Sequence, residues 1–108
     1  MAQGGKSLWK VYLVRCADGT LYCGVTTDAA RRVAMHNGLL PGGARYTRSR
    51  RPVELAALSP AMEKRAAYRI EAAVKRLPAA RKIGALEELG LDRGPLREYA
   101  SHSAEKTE

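Results

Sequence analysis

Between Val11 and Gly24 the chain reads VYLVRCADGTLYCG, two runs of strand-forming residues around an Asp-Gly turn. A hairpin is the natural reading, and the loop length decides which side chains share a face. A two-residue loop would put Tyr12 and Tyr22 on opposite faces and mix Trp9, Val11 and Leu13 with Thr20, Tyr22 and Gly24. A three-residue loop at Ala17-Asp18-Gly19, with Gly19 supplying the positive φ, pairs Cys16 with Thr20 and Tyr12 with Gly24 instead. One face then becomes Trp9, Val11, Leu13, Leu21, Cys23 and Val25, an apolar surface for helices to cover. The other carries both tyrosines, and Gly24 opposite Tyr12 is expected to leave room beside its ring for another group. Two phenols on the less apolar face exceed what packing requires, although a half-buried structural tyrosine is the commoner case.

The remaining elements follow in an α+β order. Asp28 can cap a helix running to about Asn37, where Asn37-Gly38 is a stop signal. GLLPGGARYTRSRRP is too rich in Gly, Pro and Arg for a regular element and reads as a long loop. PVELAAL is a third strand, with Pro52 at its start. Ser59 and Pro60 then read as the N-cap and first position of a helix with the apolar stripe Ala67, Ile70, Val74 and Leu77. Pro78 interrupts it, and a second helical segment runs from about Ala79 to Leu89, with Ile83 and Leu86 as apolar contacts and Gly90 as the stop. The organisation expected is a flexible start over 1–7, one domain over 8–90 and a disordered tail over 91–108.

A chain of 108 residues is long enough for a single core. Its 19 Lys and Arg against 11 Asp and Glu give a formal charge of +8, which favours a polyanionic partner. The charge is uneven: residues 1–53 carry nine bases against two acids, so the polyanion-facing surface is expected there. With no apolar run of membrane-spanning length and no signal-peptide pattern, a cytoplasmic location is expected. Cys16 and Cys23 are then free thiols, without the Cys-x-x-Cys spacing that would point to zinc.

VYL followed by YCG in a strand–turn–strand, with TDAARRVAMHN immediately after, resembles the GIY-YIG nuclease domain from about Trp9 to Leu77. The pattern Cys-x-Asp-Gly-Thr-x-Tyr-x-Gly, from Cys16 to Gly24, is similar to the small stand-alone bacterial members. The tripeptides alone would be a weak signal; the specific one is the series Tyr12, Tyr22, Arg32, His36 and Glu71. The chain departs from the literal name at Val11, Leu13 and Cys23. Many members also place an asparagine after the glutamate, whereas the only Asn here is Asn37. The resemblance implies a small three-stranded antiparallel sheet, packed by helices on one side, and a metal-dependent endonuclease.

These positions also have a physical logic of their own. Arg32 and His36 are spaced i, i+4 and project from one helix face, where both can donate to a phosphate; an ordinary solvated face is the alternative. Arg31 points about a third of the way round and reads as a solvated or backbone-contacting charge. Glu71 lies beside the apolar stripe, where a carboxylate needs a partner. That partner is Lys75 at i+4 in a structural reading, or a hydrated Mg²⁺ (or Mn²⁺) ion in a functional one. The resemblance assigns the metal to Glu71 and transition-state charge to Arg32. Tyr12 is the favoured base for the attacking water, with Tyr22 and His36 positioning water and phosphate, and the choice between the phenols stays open.

In the basic loop, Arg45, Arg48, Arg50 and Arg51 can contact phosphates while Tyr46 stacks on an exposed base. Such contacts do not read sequence, so the expected substrate is DNA with little sequence preference, selected by structure such as single strands or branches. RNA is left open, and neither a membrane nor an obligate protein partner is indicated. A non-catalytic nucleic-acid-binding protein that keeps the fold is the alternative.

Overall fold

In a computed structural model, residues 8–91 are described; the expected flexible start and nearly all of the expected tail lie outside them. The hairpin comprises β1 (Lys10–Arg15) and β2 (Leu21–Thr26), joined by a turn in which Gly19 has φ +86°. The Cys16 amide donates to the Thr20 carbonyl at 2.8 Å, and the register sets Tyr12 opposite Gly24, as the three-residue loop requires. Asp18 stiffens the turn by accepting from the Thr20 hydroxyl (2.6 Å) and amide (3.1 Å), which together with Arg50 hold its carboxyl below the usual range. β3 (Glu54–Leu58) pairs antiparallel with β1, so the strand order is β2-β1-β3 and the sheet is α+β as expected.

Val11, Leu13 and Cys23 face two helices, α3 (Lys64–Lys75) and α4 (Ala79–Leu91), and form the main core with Ala67, Ile70, Val74, Leu86 and Leu89. Burial of such aliphatic side chains stabilises by about 1.5–3 kcal/mol each. Pro78 does separate the two helices, and Lys82 closes the break by donating to the Val74 and Lys75 carbonyls at 2.9 and 3.0 Å.

Four expectations are corrected. Helices cover both faces of the sheet, because α1 (Ala29–His36) packs over the tyrosine face, where Tyr12, Val14, Cys16 and Val53 form a second buried cluster. The basic loop contains a short helical turn, α2 (Arg45–Arg48). The third helix starts at Lys64 rather than Pro60. Ser59 is spent on the sheet, its amide donating to the Val11 carbonyl and its hydroxyl accepting the Val11 amide, each at 2.9 Å, and Met62 then bridges Trp9. Gly90 lies inside α4 rather than ending it, so helical hydrogen bonding outweighs the modest propensity cost of glycine there.

Candidate active site

Period-2 alternation brings Tyr12 and Tyr22 to one face, and α1 lies over that face. Asp28 starts α1 by accepting the Arg31 amide at 3.1 Å, and Asn37 ends it. The Asn37 side chain exchanges two hydrogen bonds with the Val53 backbone (2.7 and 2.9 Å), which pins the end of α1 to the chain entering β3. The one asparagine is thus a structural clamp. With α1 fixed, Arg32 and His36 point from its inner face at the phenols.

His36 and Tyr12 are both sealed from solvent, at 0% and 1% exposure. The Tyr12 hydroxyl lies 2.8 Å from His36 Nε2, and Arg32 Nε donates to the same oxygen at 3.3 Å. Gly24 makes this possible, since a Cβ there would meet the Tyr12 hydroxyl at 2.5 Å. The space beside Tyr12 is therefore filled by its own ring, leaning across β2. Tyr22 sits edge-on to the imidazole, with centroids 5.2 Å apart, and stacks on Tyr46 at 5.7 Å.

On the other side of the imidazole, Nδ1 lies 2.9 Å from the hydroxyl of Thr47, itself fully buried. That hydroxyl has a single proton, which goes to the Ala44 carbonyl at 3.0 Å. That proton placement assigns the tautomer in which Thr47 accepts from Nδ1–H and Nε2 accepts the Tyr12 proton. The Ala44 amide also points its N–H at Nδ1, at a longer 3.4 Å, a contact that favours the opposite tautomer. Burial first, then the Arg32 and Arg51 guanidinia, lower His36 to about 4, so the imidazole is neutral at pH 7. Burial pushes Tyr12 up to about 12, and the Arg32 hydrogen bond opposes this without overcoming it.

The basic loop closes the site from above. Arg32 Nη1 donates to the Gly42 carbonyl at 2.9 Å, and Gly43 crosses α1 so closely that a Cβ would strike the Met35 carbonyl. Arg51 Nε caps α1 by donating to the His36 carbonyl at 2.7 Å. Arg50 bonds Asp18 at 3.1 Å and the Tyr46 carbonyl at 2.8 Å, and its guanidinium lies 3.9 Å from the Tyr46 ring centroid. Tyr46, Arg50 and Arg51 are thus already engaged within the protein. Arg31, Arg45 and Arg48 are exposed.

Glu71 stands apart from this cluster. It faces the Cys23 side of the sheet, where burial and then the Glu71 carboxylate push the Cys23 thiol up to about 12. Its side chain is 16% exposed and pairs with Lys75 at 3.2 Å. Burial works against the Lys75 charge, but Glu71 outweighs it and the ammonium's pKa is raised, with smaller pulls from Cys23 and Tyr22. The pair therefore lies within electrostatic reach of Tyr22. No cluster of three or more metal-ligating side chains occurs among the described residues. One carboxylate suits a hydrated hard cation completed by water and phosphate oxygens, once Lys75 gives way, and does not suit a protein cage.

Thr47, read from sequence only as part of a phosphate-contacting loop, and Gly42 escaped the sequence reading as partners of His36 and Arg32. Their partners are 11 and 10 residues away across an irregular loop, and no periodicity relates them.

Residues 8–83 match the GIY-YIG catalytic domain, well over half of the chain. The chain belongs to the GIY-YIG family. It is 51% identical over 74 residues to UPF0213 protein DP2720 of Desulfotalea psychrophila, covering 68% of this chain and 66% of that one. A UPF0213 protein of Nitratidesulfovibrio vulgaris is 46% identical over 85 residues, covering 79% and 76%. A solution structure of the UPF0213 protein BH0048 from Bacillus halodurans is 35% identical and covers 82% of this chain and 92% of that one, with a TM-score of 0.45. GIY-YIG is a nuclease family.

Proposed function

We propose that the protein is a metal-dependent endonuclease that hydrolyses DNA phosphodiester bonds with little sequence preference, favouring single-stranded or branched DNA. The observation that carries this reading is the Tyr12 phenol held between a neutral imidazole and a guanidinium. A structural tyrosine needs one hydrogen-bond partner, and this one has two of complementary character.

Tyr12 donates its proton to His36 and keeps an oxygen lone pair for the attacking water. In the resting site the phenol at about 12 and the imidazole at about 4 keep the proton on oxygen. Substrate changes that balance: a phosphate beside Arg32 neutralises one of the cations that help depress His36. As the water's proton moves to Tyr12, the phenol's own proton can pass to Nε2, so negative charge does not accumulate on the buried oxygen. Arg32 then faces the charge growing on the phosphoryl oxygens. A magnesium or manganese ion at Glu71 would supply Lewis-acid stabilisation of phosphoryl and leaving-group oxygens.

Incubation with single-stranded and branched DNA, in Mg²⁺ or in EDTA, tests the reading. Cleavage in Mg²⁺ alone is expected, and Glu71→Gln should abolish it while leaving DNA affinity nearly intact, because the basic surface is unchanged. A Glu71→Gln variant that cuts at the wild-type rate would remove the metal role. The second reading, a non-catalytic DNA-binding protein, is favoured by the Glu71–Lys75 ion pair. It predicts binding without cleavage at any Mg²⁺ concentration.

A further inference from the structure

Arg32 also lines an open cavity of about 320 Å³ where β2 passes into α1, walled by Trp9, Thr26, Asp28, Arg31 and Met35 as well. We propose that this cavity is a nucleobase subsite, receiving the base of a nucleotide whose phosphate lies at Arg32. The inference rests on the nucleic-acid reading above and adds to it a place for one base.

The wall chemistry selects the occupant. Trp9 and Met35 offer a polarisable apolar surface suited to a flat ring. Arg31 and Arg32, adjacent on α1, supply cationic groups for the backbone. Asp28 opposes a phosphate inside the cavity, because its carboxylate would face a second anion. The same carboxylate, one oxygen of which already accepts the Arg31 amide, can take a proton from the exocyclic amine of adenine, cytosine or guanine. A base inside with its phosphate at the arginines satisfies all five groups, and the reverse arrangement does not. The volume falls in the range of small-ligand sites. Trp9 is also preset: its backbone bridges Met62, its ring centroid lies 6.3 Å from that of Tyr68, and the Lys64 ammonium is 5.1 Å from it. The catalytic cluster uses Arg32 but not Trp9, which packs against the edge of the main core.

Trp9 is the only tryptophan in the chain, so fluorescence excited selectively at tryptophan reports on this wall and not on the five tyrosines. Wild-type protein in EDTA, which prevents metal-dependent cleavage, is titrated with two end-labelled strands of equal length. One is a short oligodeoxyadenylate; the other has the same backbone with every base replaced by an abasic tetrahydrofuran. Label anisotropy reads binding. The expected result is that both strands bind through their phosphates, but only the base-bearing strand quenches Trp9 and shields it from acrylamide. It should also bind roughly 5- to 100-fold more tightly, the range of one base stacked on an aromatic side chain. Equal quenching by both strands, or tighter binding of the base-bearing strand without quenching, overturns the subsite and leaves the nucleic-acid reading standing. Failure of both strands to bind overturns the two together.

Discussion

At the scale of single residues, Tyr12 and Thr47 make distinct and separable demands. Tyr12→Phe removes one oxygen and keeps the ring over Gly24, so the stability loss should be on the order of 1 kcal/mol, as for one hydrogen bond. Turnover should nonetheless fall by roughly 10² to 10⁴, with affinity little changed, if the phenol passes a proton. Single-turnover cleavage beside a denaturant melt separates the two effects, and equal cleavage by the variant would end the proposed mechanism. Thr47→Val keeps the shape and removes the acceptor for Nδ1–H. The His36 proton should then shift toward Nε2, visible as exchanged imidazole ¹⁵N shifts, and Thr47→Ser should restore them. A variant whose imidazole tautomer does not change would show that Thr47 only fills space.

At the scale of elements, the docking of α1 on the sheet depends on an uncharged imidazole. Its folded pKa of about 4 lies below the ordinary value of 6.5, so between those values the unfolded chain binds the extra proton. Stability contributed by His36 is therefore fully present above about 6.5 and is lost as pH falls through about 4, a loss of roughly 3 kcal/mol. Urea melts across that window should show the decline, and His36→Gln should flatten it. The same elements show what a sequence alone can and cannot reveal. The hairpin register was legible because period-2 alternation and an Asp-Gly turn act over a few residues. The start of α3 was not, because the Ser59 hydroxyl that would have capped it at Pro60 is taken by the Val11 amide, 48 residues away in the chain. That Arg32 and His36 share one helix face followed from i, i+4 spacing and the resemblance joined them to the phenols, whereas their contacts to Thr47 and Gly42 depend on an irregular loop.

At the scale of the whole molecule, the net charge of +8 makes nucleic-acid affinity a function of salt. Only some of the arginines are free to act this way. Arg50 and Arg51 are tied to Asp18, Tyr46 and the end of α1, while Arg45 and Arg48 project from α2 into solvent. Arg45→Ala with Arg48→Ala should therefore weaken binding to all sequences alike. It should also flatten the slope of log K against log salt by about one to two, since each phosphate contact releases roughly 0.7 to 0.9 counterions. An unchanged slope would mean that α2 faces away from the nucleic acid. No helix among the described residues is long and apolar enough to cross a membrane.

The loop over α1 carries a consequence for how such a protein can diversify. Gly42 holds Arg32 by its carbonyl, Gly43 leaves no room for a side chain, and Thr47 is sealed beneath. Leu39, Arg45 and Arg48 on the same segment stand in the open. Tolerance to change should therefore alternate along a few residues of one loop. Descendants that acquire a new substrate can rewrite the outward positions freely, whereas the inward ones are inherited with the chemistry or lost with it.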